Sequence, residues 1–238
     1  MFNFIRSIIF SIIMFATAIF FSTICLVTVV VPYRIRYPLL IAWPKLTIFL
    51  AKWICGIRYR IYGQENIPKN HAIMVANHQS TWETLAFLAL FPHNCFVLKK
   101  ELLQIPIFGW SLSLLKPIGV NRKKSMNALE QVIEQGSKRL ADGHLITIFP
   151  EGSRMSVKQL GQFKIGAAKL AMQTKTPILP VSHDAGKYWS RRAFIKKPGT
   201  IQVTIGKPIL PIGNSAAKLM STVKTQIQTQ LEQNENIL

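Results

Sequence analysis

The 238 residues carry 29 Lys+Arg against 10 Asp+Glu, a formal net charge of +19, yet 49% are hydrophobic and only 16% charged. A disordered basic arm needs low hydrophobicity and a polytopic membrane protein needs several long apolar spans, so both classes are excluded. What remains is a basic globular domain with material for a core, tied to something both apolar and anionic. No acidic residue precedes Glu65, whereas Arg6, Arg34, Arg36, Lys45 and Lys52 all fall in the first 56 positions. Cys25, Cys55 and Cys95 are odd in number and lack metal-ligand spacing, which argues against a disulfide framework or structural metal and suits a reducing compartment.

Along the chain, Ser7 to Val31 is uncharged and apolar. As a helix it would reach roughly 37 Å, enough for a bilayer core of ~30 Å. A signal peptide has a shorter apolar stretch of ~7–15 residues, so an uncleaved anchor is expected. Pro32-Tyr33-Arg34 should stop that helix at an interface, and Arg34 and Arg36 against Arg6 alone predict a cytoplasmic domain after it. Leu39 to Ile57 reads as a second apolar helix, with Pro44 in its first turn and Lys45 and Lys52 on one stripe. It either lies in the membrane interface, with Trp43 and Trp53 at headgroup depth, or covers the core.

From position 58 to 238 the pattern becomes that of one catalytic-sized domain, residues 1 to 57 being the anchor and interfacial helix. Short β-rich runs at Arg58–Tyr62, Ala72–Ala76, Cys95–Leu98, Leu145–Phe149, Ile178–Val181 and Thr200–Ile205 alternate with helical patterns. The helices are expected near Thr81–Leu90, Ile107–Leu115, Met126–Ala141, Ile165–Gln173 and Ala216–Gln233, with Asp142-Gly143 as a helix stop. The fold class is therefore α/β, with a mixed, largely parallel sheet flanked by helices and preceded by a hydrophobic, membrane-associated helical segment.

Two loops carry candidate chemistry. Asn77-His78-Gln79-Ser80-Thr81-Trp82-Glu83 follows a buried-looking strand and opens a helix. A histidine with a carboxylate partner is the minimum for general-base activation of a hydroxyl. Five residues along one helix are ~140° apart, so His78 must sit in the loop with Glu83 reaching back from the first turn. Ser80-x-x-Glu83 is also a capping-box pattern, and the cap alone would account for Glu83. Phe149-Pro150-Glu151-Gly152-Ser153-Arg154 follows another strand, its glycine allowing close backbone approach and Arg154 offering a planar fork to a phosphate. Taken alone, it is equally a strand-to-loop turn with a solvated arginine.

NHQSTWE, KPIGVNR ending at Arg122, FPEGSR and ILPVSH, in that order, resemble the four motif blocks of the glycerolipid acyltransferase family, in particular its bacterial 1-acyl-glycerol-3-phosphate acyltransferases. FKIGAAKLA, Phe163 to Ala171, is similar to the family's helix after the third block. The resemblance spans about residues 40 to 210. Three positions depart from the family pattern: Glu83 stands for the usual Asp, Ser153 for Thr, and Asn121 for an Asp common in the second block.

The resemblance implies acyl transfer from acyl-CoA or acyl carrier protein to the free hydroxyl of 1-acyl-glycerol-3-phosphate (lysophosphatidic acid). His78 would be general base and Glu83 its orienting partner. The acceptor phosphate would be held by Arg154 with Arg122 and Lys99 or Lys100, while Glu151, Gly152 and Ser153 shape the pocket. No cofactor or metal is implied, and the setting is a bacterial-type inner membrane, with anionic lipid as a further partner. Arg122-Lys123-Lys124 and Arg191-Arg192 with Lys196-Lys197, beside Tyr188-Trp189, could sit on anionic headgroups or form solvated faces. His183 reads as a core histidine that could line the site, and His71, His93 and His144 as structural or exposed. Two alternatives stay open: another lysophospholipid or lyso-aminolipid acceptor, and a nucleic-acid or anionic-surface binding module. The latter lacks basic runs interleaved with aromatics and any reader motif.

Overall fold

The computed structural model describes residues 1–68, 71–121, 125–157, 159–213 and 215–235. Arg122, Lys123 and Lys124 fall outside these residues. The apolar N-terminus forms helices α1 (Phe2–Val27), α2 (Tyr33–Leu40) and α3 (Ala42–Cys55). Pro32 does end the first helical stretch, but it then caps α2, where a missing N–H costs nothing. The run after Pro32 is thus a second helix. Arg36 is drawn into it: its guanidinium donates to Val29 O at 2.8 Å and closes the carboxyl end of the preceding helical segment. Gly56, at φ 71°, ends α3 in the left-handed conformation that favours glycine.

Strand β1 (Ile57–Tyr62) is followed by β2 (Ile73–Ala76), α4 (Trp82–Leu90), β3 (Asn94–Lys99), α5 (Phe108–Ser113), β4 (Ile118–Val120) and α6 (Ser125–Ala141). Then come β5 (Leu145–Ile148), α7 (Gly166–Thr174), β6 (Ile178–His183), β7 (Gly199–Ile205) and α8 (Ala216–Glu235). All six expected strands are present. The three-residue β4, inside the second motif block, is too short for a period-2 signal and was not expected from sequence. Among the described residues the sheet has seven strands in the order β1-β7-β6-β2-β5-β3-β4. The pairs β6–β2, β2–β5, β5–β3, β3–β4 and β1–β7 are parallel, and only β6–β7 is antiparallel.

Strand alternation sorts the core into two layers. In β2, Met74 and Ala76 face the cluster that holds Trp82 and Phe87 of α4 and Ile48 and Ala51 of α3. Ile73 and Val75 face the opposite cluster, with Leu170 of α7 and Leu219, Val223 and Ile227 of α8. Both faces of the central strands are covered, which is why β2, β5 and β6 read as continuous apolar runs.

The N-terminal helices pack onto the domain as an antiparallel hairpin. The Trp43 indole donates to Met14 O at 3.3 Å, and Cys55 Sγ approaches Arg6 O at 4.0 Å. α1 meets the domain along its length: Lys196 N donates to Ser7 Oγ at 2.9 Å, and Ser111 Oγ donates to Ser22 Oγ at 3.0 Å. Phe10 is fully buried edge-on against Trp189, 5.2 Å between centroids. Lys196 is 5% exposed, bonds Ser11 Oγ at 3.1 Å and lies within 5.2–5.6 Å of the Phe10, Trp189 and Phe194 rings. This corrects the sequence expectation for Lys196 and the neighbouring Trp189, which are buried in the hairpin interface, while Arg191, Arg192 and Lys197 are exposed. Trp43 likewise packs edge-on to Phe108, whereas Trp53 stays 67% exposed. The exposed apolar side chains run from Phe15, Ile19 and Phe20 on α1 to Leu102, Ile105, Ile107 and Trp110 around α5, and to Phe194 and Ile195.

Candidate active site

Because β2, β3, β4, β5 and β6 all point the same way, the segments that follow them emerge at one sheet edge. That carboxyl edge is where α/β sheets place their sites. It gathers the His78 loop after β2, Lys99 and Lys100 after β3, Asn121 after β4, Phe149–Arg154 after β5 and His183-Asp184 after β6. The described parts of all four motif blocks therefore meet at the same edge.

The His78–Glu83 geometry matches the requirement set by their spacing. His78 is in the loop, Glu83 is the second residue of α4, and His78 Nδ1 lies 2.9 Å from Glu83 Oε1. The same oxygen accepts the backbone N–H groups of Gln79 (2.8 Å) and Ser80 (2.6 Å). Half a capping box is present, since Glu83 holds the Ser80 N–H while Ser80 Oγ accepts from Trp82 N at 3.0 Å. Cap and dyad are thus served by one carboxylate oxygen. A carboxylate on Nδ1 fixes the tautomer with Nδ1–H, leaving the Nε2 lone pair available. His78 is 15% exposed and Glu83 is 0%.

Burial would raise the Glu83 carboxyl, but the His183 and His78 rings and the Ser80 N–H outweigh it and hold the group below its ordinary range. Glu83 is therefore a charged group inside the core, fastened by three donors. Its other oxygen, Oε2, is buried with no hydrogen-bond partner among the described residues.

The third block braces the first. Glu151 Oε2 accepts His78 N–H and its Oε1 accepts Gly161 N–H, both at 2.8 Å, while Met155 N–H donates to His78 O at 2.7 Å. Gly152 takes φ 72° and closes the turn back to Phe149 O at 3.1 Å. Phe149 stacks on His78 with centroids 4.1 Å apart and planes 13° apart, fixing the imidazole from its face. Burial raises the Glu151 carboxyl and lowers the Arg154 guanidinium, with the neighbouring Arg191 adding to the latter and Glu83 opposing it. Arg191 donates to Arg154 O at 2.5 Å, so one arginine of the second basic cluster belongs to this loop. Ser153, Lys99 and Lys100 are exposed at the rim. Lys99 pairs in register with Val120, two residues before Arg122, which lies outside the described residues.

One pair was not found from sequence. His183 is fully buried, and Asn77 clamps it: Asn77 Nδ2 donates to His183 O at 2.8 Å and Asn77 Oδ1 accepts His183 N–H at 3.0 Å. His183 Nε2–H donates to Asn77 O at 2.7 Å and Nδ1 accepts Ala185 N–H at 3.3 Å, a self-consistent tautomer. Its Nε2 is 3.9 Å from Glu83 Oε1, and burial keeps the ring neutral by lowering its pKa. The reading of His183 as a core histidine agrees with its burial, but its pairing with Asn77, which directly follows β2, had no local signal.

Comparisons with known proteins give the family and the fold. The family profile described as Acyltransferase matches residues 58–184. A 1-acyl-sn-glycerol-3-phosphate acyltransferase of Pseudomonas aeruginosa is 41% identical over 85% of this chain and 79% of its own. One from Saccharomyces cerevisiae is 32% identical over 67% of this chain and 54% of its own. The crystal structure of the 1-acyl-sn-glycerophosphate (LPA) acyltransferase PlsC from Thermotoga maritima superposes with a TM-score of 0.81 at 24% identity, covering 98% of this chain and 96% of that one. The fold, the ordered motifs and the extent of these matches together show that this chain is an enzyme of the acyltransferase family.

Proposed function

We propose that the enzyme acylates the free hydroxyl of 1-acyl-glycerol-3-phosphate from an acyl thioester, acyl-CoA or acyl carrier protein, to give phosphatidic acid. The observation that carries this reading is the 2.9 Å contact of His78 Nδ1 with a buried Glu83. It leaves Nε2 as the base at the mouth of the site. The acceptor hydroxyl gives its proton to Nε2 as its oxygen bonds to the thioester carbonyl carbon. Collapse of the tetrahedral adduct breaks the C–S bond, and the departing thiolate takes the proton back from His78. Glu83 stabilises the imidazolium between the two transfers. General-base help of this kind contributes typically ~10²–10⁴ in rate, and positioning of the two substrates adds to it. Arg154, with Arg122 and Lys99 or Lys100, holds the acceptor phosphate. No cofactor enters this scheme.

The apolar face supports a catalytic domain lying on its lipid. Two N-terminal segments, Phe2–Val30 and Tyr33–Cys55, are long and apolar enough to cross a membrane by length and composition. Ser7 and Ser22 of α1 both touch the domain, about 22 Å apart along the helix axis. A helix docked over that length favours a hairpin immersed in one leaflet, beside a surface from which the acceptor need not be fully extracted.

The test is an acyl-CoA assay of the detergent-solubilised full chain against a panel of lysolipids, with His78→Ala in parallel. Product from lysophosphatidic acid that disappears in the variant is the expected result. Undiminished turnover by His78→Ala would refute the mechanism, and product from other lysolipids only would refute the acceptor.

A further inference from the structure

A cleft lies at the opposite edge of the sheet. It measures about 420 Å³ and is lined by Tyr33, Arg34, His93, Lys116, Asp142 and His144, among others. His93 precedes β3, Lys116 precedes β4 and His144 precedes β5, so the cleft sits at the amino ends of strands whose carboxyl ends carry the catalytic loops. A six-residue strand such as β3 separates the two edges by roughly 20 Å. None of the catalytic or acceptor-binding residues lines it.

His144 is 4% exposed, yet neither ring nitrogen has a hydrogen-bond partner among the described residues. The Tyr33 hydroxyl, on another lining residue, is likewise buried without a hydrogen-bond partner among the described residues. Buried polar groups are normally satisfied, so such a cluster points to a polar ligand. The surrounding charge is positive. Lys116 Nζ lies 4.5 Å over the Tyr33 ring, Arg34 is exposed at the rim, and Asp142, the one lining acid, is paired with Arg139 at 3.8 Å. His93, stacked on Tyr37 at 4.4 Å, and Lys116 both hold left-handed backbone, φ 51° and 55°. Strain of that kind at non-glycine residues persists where the surroundings enforce it and gathers at ligand sites. Burial, with the Lys116 charge, lowers the His144 pKa; the neutral ring still offers one N–H to an anion.

The neighbouring surface selects among anions. Directly before the cleft residues, Val29 and Val30 are 55% and 87% exposed, and Ile35 follows at 70%. A cationic cleft bordered by an exposed apolar rim fits a phosphate that carries acyl chains. We propose that this cleft binds the headgroup phosphate of an anionic phospholipid, at a site separate from the catalytic one. Lys116 and Arg34 supply the charge, and His144 and Tyr33 supply neutral donors.

Binding of the full chain to phosphatidylcholine vesicles with and without phosphatidylglycerol tests this assignment. Arg34→Gln with Lys116→Gln should lower affinity for the anionic vesicles roughly thirtyfold. Lys45→Gln with Lys52→Gln, which removes two exposed cations of α3, should cost only a few-fold. His144→Phe leaves the non-histidine charges untouched and should cost about tenfold through a lost bond to a charged group. Turnover of a soluble short-chain acceptor should stay unchanged in all of these variants, which separates this site from the catalytic reading. Equal losses for the two lysine-and-arginine pairs, or full binding by His144→Phe, would overturn the proposal. Displacement of the vesicles by micromolar inorganic phosphate would overturn the lipid assignment in favour of a free-phosphate site.

Discussion

Replacing Glu83 by Gln isolates the charge of the dyad from its shape. The side chain is isosteric, and its carbonyl oxygen can still accept the Gln79 and Ser80 N–H groups and the His78 Nδ1–H now received by Oε1. What disappears is the carboxylate's interaction with an imidazolium. With a 2.9 Å contact the charge centres lie about 4 Å apart, worth about 4 kcal/mol at an effective dielectric of ~20. Glu83 is fully buried, so solvent screening does not reduce this further. With the proton about half transferred at the transition state, roughly 2–3 kcal/mol is lost, and kcat should fall about 30- to 150-fold. KM should hardly move, because neither substrate is bound by Glu83 in this scheme. Stability should also change little, since the lost charge-assisted bonds are offset by relief of a buried charge. Initial rates from thiol release, read beside a thermal melt, provide the measurement. A folded variant with kcat within threefold of the parent, or a change confined to KM, would refute the electrostatic role of Glu83.

Three further outcomes follow from buried groups elsewhere. His183 and His144 have pKa values lowered by burial, so their neutral forms stabilise the fold above the unfolded histidine value of about 6.5, and that contribution is lost as pH falls. Urea midpoints should therefore drop as the pH falls below about 6.5, with a shallower slope in His144→Phe; a flat profile would contradict neutral burial. Lys196→Ala removes the side chain lying among the Phe10, Trp189 and Phe194 rings and bonded to Ser11, and should cost about 2–3 kcal/mol and loosen the hairpin. Proteolysis between α3 and β1 reads this out directly, and an unchanged cleavage rate would show the hairpin is held by other contacts. In Gly186→Ala the new Cβ would meet Val157 Cγ2 at 2.8 Å and Gln79 Cβ at 2.9 Å, so the loop next to His78 must shift. A several-fold loss of kcat with a stability change of about 1–2 kcal/mol is expected, and unchanged kinetics would show that this loop tolerates displacement.

Much of this protein is written locally. Short β-rich runs bounded by turn residues marked six of the strands, and in β2, β5 and β6 burial on both faces adds a continuous apolar composition. The His78 loop and the Glu83 helix start were readable for a similar reason, since both ends of that contact lie within five residues. β4 and the second helix after Pro32 were not, one being too short for a periodicity and the other carrying Pro38 within eight residues. What only the tertiary structure decided are the long-range pairings. Asn77 meets His183 across 106 residues, and Glu151 reaches His78 across 73. Lys196 closes on Ser7 across 189, turning a basic residue that looked free for headgroups into the buried lock of the hairpin. Such contacts are fixed by strand order and register and by which faces pack together, and no window of sequence encodes them. Composition and motif thus determined a basic chain of acyltransferase type whose first and third blocks follow strands. Parallel β2, β3, β4, β5 and β6 decided that the ends of these strands meet at one edge of the sheet, with an unpartnered cationic cleft at the other.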